Sequence, residues 1–187
     1  GLEVTIADLD IVNPYFRSKD STDILEKEGV QVIALPFANS SVDLPALPSQ
    51  AYALVQNKSR YAVLDIGGDD RGAYALGRYV PYILEENNYD MLYVVNFFRP
   101  LTTDVKSAIE VMREIEGACG LKFTGIVNNS NLGAETTVDM VLSTVEKAKQ
   151  LAKETGLELV ATTAQSSVAA LDKNLVSLTL QKRPFDE

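Results

Sequence analysis

VTIADLDIVNPYFRS at positions 4–18 and YAVLDIGGDDRG at positions 61–72 each open on a short apolar run, reach an aspartate and turn. The apolar half of that pattern recurs in VQVIAL at 30–35, MLYVV at 91–95, FTGIV at 123–127 and LELVAT at 157–162, and more weakly in VSLTL at 176–180. Runs that are apolar throughout, rather than at alternate positions, fit strands covered on both faces, as in parallel sheets. Helical spacing appears between them. Val105, Ile109, Met112 and Ile115 mark one apolar stripe, and Val138, Val141, Leu142, Val145 and Ala148 mark another. Thr103 and Thr136 are the expected N-caps, since a hydroxyl oxygen there accepts an unpaired backbone N–H, and Gly156 is the expected helix end. Strands alternating with helices predict an α/β fold: one doubly wound, mainly parallel sheet with helices on both faces, spanning 1–187 as a single domain.

The composition sets limits around that fold. With 187 residues and 46% hydrophobic content, the chain builds one substantial core. Its 26 Asp and Glu against 17 Lys and Arg give a formal charge of -9, which gives no strong nucleic-acid signal. A single Cys119 and no histidine exclude a disulfide framework, Cys/His zinc sites and Ser-His-Asp catalysis, and leave Cys119 as a buried thiol. The sequence contains neither a transmembrane-length apolar run nor a basic-then-apolar leader, so a cytoplasmic protein is expected. FANSSVDLPALPSQ at 37–50 reads as a connection into a short helix.

In an open α/β sheet, ligands gather beyond the carboxyl ends of the strands, where this chain repeatedly places polar residues. Asp8 and Asp10 follow the first strand, Asp65, Gly67 and Gly68 the third, Asn96 the fourth, and Asn128, Asn129 and Asn131 the fifth. An aspartate ending a buried strand can hold magnesium, and following glycines let backbone N–H groups approach a terminal phosphate. Asp65, Gly67 and Gly68 have that form. Asp10 is the candidate for orienting an attacking water, with Asp8 committed to turn hydrogen bonds or metal support. Asn129 carries a donor and an acceptor for an adenine edge, although Asx side chains also close turns without a ligand. Tyr15, Phe16 and Arg17, and again Phe97, Phe98 and Arg99, form candidate partner-facing tips, with core or lid packing as the plainer role.

ADLD at 7–10, LDIGG at 64–68 and GIVNN at 125–129 resemble, in that order, the first switch, the Walker B and second switch, and the base-contacting strand end of the deviant-Walker ATPases. That group includes the chromosome-partitioning, division-site and nitrogenase iron-protein-like ATPases. DIVNPYFRS at 10–18 is most similar to a bacterial branch of it. The resemblance implies a P-loop NTPase-like fold and an ATP- and magnesium-dependent switch, with a homodimer possible through the nucleotide-side face. Asp10 would position water, Asp65 would support magnesium and Asn129 would contact the base. The group's G-x-x-x-x-G-K-[ST] loop does not occur in these 187 residues. The expectation is therefore an intact parent that hydrolyses ATP and a stretch, lacking the loop, its strand and first helix, that binds ATP weakly or not at all. The sheet is then expected to show a gap near the strands ending at Asp65 and Val95. A small-molecule synthetase with Asn96, Arg99 and Asn131 at an acceptor site, or a non-catalytic interaction domain, are the alternatives. No G-x-G-x-x-G follows an early strand, which disfavours a dinucleotide-binding dehydrogenase.

Overall fold

The structure, a computed structural model, describes residues 2–10, 21–34, 54–55 and 61–179. Its elements run β1 (Val4–Asp8), α1 (Thr22–Lys27), β2 (Gln31–Ala34), β3 (Tyr61–Asp65), α2 (Asp70–Gly77), α3 (Val80–Glu86) and β4 (Leu92–Val95). They continue through α4 (Val105–Cys119), β5 (Gly125–Asn128), α5 (Val138–Thr155), β6 (Glu158–Gln165), α6 (Ser166–Ala169) and β7 (Val176–Leu178). All seven apolar runs thus contain strands, and every strand pair is parallel. The strands fall into two sheets, and the chain divides into two compact units. Among the described residues no helix is long and apolar enough to cross a membrane.

The first unit is built mainly on Gly1–Tyr89 and carries the sheet β2-β1-β3. β1 lies in the middle, with Thr5, Ala7 and Asp8 buried. β3 pairs with β1 alone among the described residues. It nevertheless has the uncharged composition of an interior strand, and Tyr61 and Val63 remain 61% and 48% exposed. Edge strands usually carry charges that block further pairing; β3 carries none before Asp65. Beyond it, the Asp69 side chain caps α2 by accepting the Gly72 N–H at 2.8 Å. α3 ends where Asn87 enters the left-handed region at φ 49° and returns its N–H to Ile83 O at 2.9 Å.

The second unit, on Asp90–Gly117 and Leu121–Lys182, carries the sheet β4-β5-β6-β7. α4 and α5 meet the sheet face that bears Tyr93, Ile126 and Asn128: the Tyr93 hydroxyl donates to Ala108 O at 3.1 Å, and the Asn128 amide donates to Thr144 at 2.9 Å. Burial pushes the Tyr93 phenol up to about 12. The buried stripe of α4 is Val105, Ala108, Met112, Ile115 and Cys119, in close agreement with the expected periodicity. That of α5 is Val141, Thr144, Ala148 and Leu151, with Leu142 41% exposed instead of buried. A threonine takes the core position because the buried Asn128 amide needs an acceptor. On the other face Leu92, Val94 and Val160 stay exposed. Val160 and Leu92 flank Gly125, where a Cβ would stand 2.7 Å from Val160 Cγ2 and 3.1 Å from Leu92 Cδ2.

Both expected N-caps lie one residue early. Asp104, not Thr103, caps α4: its Oδ1 accepts the Ser107 N–H at 2.9 Å, and Ser107 Oγ accepts the Asp104 N–H at 3.3 Å. Thr137, not Thr136, caps α5 by accepting the Met140 N–H at 3.3 Å. Thr136 is instead buried, accepting from Leu132 N and donating to Gly133 O at 2.7 Å. Gly156 ends α5 as expected, at φ 72°.

One carboxylate is anchored deep in this unit. Glu116, 4% exposed, accepts from Arg113 at 2.6 Å, Lys122 at 2.8 Å and the Phe123 N–H at 3.1 Å, tying the end of α4 to the approach of β5. Burial alone would raise its carboxyl, but the bonds from Lys122 and Arg113 outweigh it and hold the group below the ordinary glutamate range. A carboxyl depressed in the folded state stabilises the fold above its unfolded value and loses that contribution as pH falls through its folded value. Glu116→Gln should cost about 1–2 kcal/mol at pH 7, since both cations can return to water. Urea unfolding of the two proteins across pH should show the difference shrinking below about pH 4; a difference independent of pH would contradict this assignment.

Candidate functional site

In the first unit, parallel register sets Asp8 directly beside Asp65, and the ladder continues one step further as the Leu9 N–H donates to Asp65 O at 2.8 Å. Two acidic residues therefore share one sheet edge, on strands about 4.8 Å apart. Asp8 is fully buried, and its Oδ1 accepts the Asp10 N–H at 3.2 Å, which fixes the turn out of β1. That turn delivers the half-buried Asp10 onto the β3-to-α2 loop. A Cβ on Gly67 would stand 2.9 Å from Asp10 Oδ1 and 3.2 Å from Asp10 Cγ. On its other side Gly67 meets Gly72, where an added Cβ would lie 2.5 Å from Gly67 O and 2.8 Å from Gly67 Cα. Gly67 and Gly72 are glycines because the loop folds back on the first turn of α2 and leaves no room. Gly68 differs: it is exposed, its φ is not positive, and nothing lies within 4 Å of where its Cβ would be. Internal packing does not explain that glycine.

The structure thus brings Asp8, Asp10, Asp65, Gly67 and Gly68 to one edge of one sheet. Among the described residues no group of three His, Cys, Asp or Glu side chains could hold a metal ion by itself. Magnesium does not need such a cage, because it commonly takes one or two carboxylates and completes its octahedron with phosphate oxygens and water. Asp65, half-buried at the strand end, fits as such a carboxylate. Asp8 is first a turn-forming residue.

In the second unit the strand ends are sewn together by amides. Asn96 Oδ1 accepts the N–H groups of Phe98 at 2.9 Å and Asn131 at 3.3 Å, while its Nδ2 donates to Asn131 O at 3.0 Å. Asn131 Oδ1 accepts from Gly133 N at 3.0 Å, and its Nδ2 donates to Asn129 O at 2.8 Å. Beneath them the buried Asn128 Oδ1 accepts from Ser130 Oγ at 2.6 Å, and Ser130 Oγ accepts the Phe97 N–H at 2.9 Å. Asn96 and Asn131 are thereby occupied in holding the β4 and β5 loops to each other. Arg99 is exposed, and Phe97 is buried with the Lys147 ammonium 5.9 Å from its ring centre, a core plug rather than an interface anchor. Asn129 remains half-buried, with Oδ1 accepting from Thr163 at 2.8 Å.

Tyr15, Phe16 and Arg17 lie outside the described residues. Three participants escaped the sequence reading. Gly72 carried a signal, a glycine in the first turn of a helix where it costs about 1 kcal/mol relative to alanine. Ser130 and Thr163 carried none, since a hydroxyl at a strand end has many uses. No family model matches the chain, and no curated protein sequence matches it significantly.

The two neighbouring glycines separate packing from openness. Gly72→Ala should destabilise the protein by about 1–3 kcal/mol through overpacking against Gly67, whereas Gly68→Ala should stay within about 0.5 kcal/mol of wild type. Chemical denaturation checks both; equal effects would contradict the contrast drawn here.

Proposed function

We propose that the intact protein is a cytoplasmic, magnesium-dependent ATPase that works as a conformational switch, with its nucleotide phosphates at the β1/β3 edge. The observation that carries this reading is the placement of Asp10 against the Gly67 backbone, beside a strand-end aspartate and an open, packing-free Gly68. Magnesium, when bound, supplies charge neutralisation for the terminal phosphate. The chain's own residues supply the rest. Asp65 holds the hydrated metal, the Gly68 backbone approaches phosphate oxygens without a side chain in the way, and Asp10 orients the attacking water. Because Asp10 and Gly67 touch, a change in the first loop on loss of the terminal phosphate reaches the second directly, which is the coupling a switch requires. In this reading, phosphate-binding lysines come from a G-x-x-x-x-G-K-[ST] segment upstream of β1, and two copies can meet across the nucleotide face.

The 187-residue chain should bind Mg-ATP weakly or not at all, since the G-x-x-x-x-G-K-[ST] loop that supplies charge-assisted phosphate contacts does not occur in its sequence; micromolar stoichiometric binding by calorimetry would overturn that part. In protein carrying the upstream segment, Asp10→Ala should lower steady-state phosphate release about hundredfold or more with little loss of nucleotide affinity. Asp65→Ala should impair magnesium-dependent turnover. Wild-type turnover by the Asp10→Ala protein would remove Asp10 from this role, and failure of the lysine-bearing protein to bind ATP would end the ATPase reading.

A strand-accepting interaction domain is the second reading, favoured by the uncharged outer edge of β3 with Tyr61 and Val63 exposed. If partner binding is the sole role, Val63→Lys abolishes association measured by light scattering while nucleotide hydrolysis is absent throughout.

A further inference from the structure

The outer edge of β3 presents a definite hydrogen-bonding pattern. Tyr61 donates its N–H to Glu3 O at 2.9 Å, and Asp65 O accepts the Leu9 N–H at 2.8 Å, so Tyr61, Val63 and Asp65 turn their backbone groups toward β1. Backbone direction alternates along a strand, which leaves Ala62 and Leu64 turning both N–H and C=O to the open side. Among the described residues no strand pairs there. Tyr61, Ala62 and Val63 are exposed. An unpaired edge normally protects itself with a charge, a proline or a bulge. β3 has none of these before Asp65, and its register with β1 is unbroken.

We propose that the partner of this edge is β3 of a second copy of the chain, paired antiparallel about a two-fold axis at Val63. The inference rests on the strand-accepting reading given above and names its partner. Symmetry and charge select this occupant. Ala62 and Leu64 lie on either side of Val63, so Ala62 of each copy meets the second copy's Leu64, and both N–H···O bonds are exchanged at each meeting. Val63 then faces its own counterpart in the closer, non-hydrogen-bonded pairing, where opposed side chains touch. The same register sets Tyr61 opposite the second copy's Asp65 and keeps the two Asp65 carboxylates about 13 Å apart along the strands. In sequence Arg60 precedes β3 and Asp65 ends it, so antiparallel copies run each basic entry toward an acidic exit. A parallel copy would run like toward like. A two-fold pairing also consumes the edge of both copies and stops at a dimer. The strand is five residues long, so the interface is below standard size and a dissociation constant of about 10–100 μM is expected.

The test follows light scattering and residue-resolved amide hydrogen exchange of the 187-residue protein from about 1 μM to about 1 mM, on either side of that constant. Ala62 and Leu64 should exchange freely at the low end and gain about fivefold to tenfold protection as the dimer forms, while Val63, turned toward β1, should be protected throughout. Val63→Lys and Val63→Glu should each stay monomeric over the whole range, because like charges then face each other across the axis. An equimolar mixture of the two should associate again, which separates lost pairing from lost folding. Wild-type protein that stays monomeric, with Ala62 and Leu64 exchanging freely at every concentration, would overturn self-pairing and leave the edge open to a different strand. Protection of Ala62 and Leu64 already in the monomer would end the strand-accepting reading itself. Association that survives in either charged variant, or a folded mixture that stays monomeric, would also overturn the inference. The wild-type series stands without the variants.

Discussion

Parallel pairing of β1 on β3 is the constraint from which the β1/β3 edge follows. In a parallel pair both strands finish on the same side, so the register that sets Ala7 beside Leu64 also sets Asp8 beside Asp65. A buried Asp8 must then find donors, and it takes the N–H two residues ahead, which bends the chain so that Asp10 arrives on the neighbouring loop. The loop can receive it only because Gly67 lacks a side chain, and Gly67 can stay there only because Gly72 lacks one too. Sheet register, turn and two glycines form one dependent series.

The second unit solves a similar problem with neutral groups. Its buried strand-end amide, Asn128, is satisfied by Thr144, Ser130 and the backbone around them, and the Asn96 and Asn131 pair closes the two loops. Fully paired networks of this type are rigid, because any rearrangement strands a buried donor or acceptor. In that network Asn96 and Asn131 hold the β4 and β5 loops to each other.

Much of the architecture is legible in the amino-acid sequence because strand composition and helix spacing are local properties. Runs such as MLYVV and FTGIV are too apolar and too short for helices and do form strands, but β4 is covered on one face and not on both as expected, with Leu92 and Val94 exposed; the Met112 and Ile115 spacing marks the core side of α4. The caps shift by one residue because Thr103–Asp104 and Thr136–Thr137 each offer adjacent side-chain oxygens, and only backbone direction decides which one reaches the N–H three residues on. Leu142, expected in the stripe, is exposed while Thr144 is buried, for a tertiary reason: Asn128 needs an acceptor 16 positions away. The two-sheet arrangement is legible only indirectly. YAVLD at β3 has interior-strand composition, so its edge position contradicts its local chemistry; the expectation of a gap came from the resemblance, not from β3 itself. In the candidate site, the aspartates and Gly67 are visible as a motif, while Thr163 becomes visible only when β6 is laid beside β5.

The central claim is that the β1/β3 edge holds a metal-bound nucleotide. Its most direct test is paramagnetic broadening by manganese(II)-ATP in protein extended at the N-terminus by a G-x-x-x-x-G-K-[ST] segment, read at backbone amides by NMR. Manganese substitutes for magnesium at oxygen sites and broadens resonances only nearby. The account predicts that the Gly67 and Gly68 amides broaden first and most among the residues of both units, and that Asp65→Ala removes the effect. Sharp Gly67 and Gly68 signals under conditions where other amides broaden, or broadening unchanged by Asp65→Ala, would contradict it.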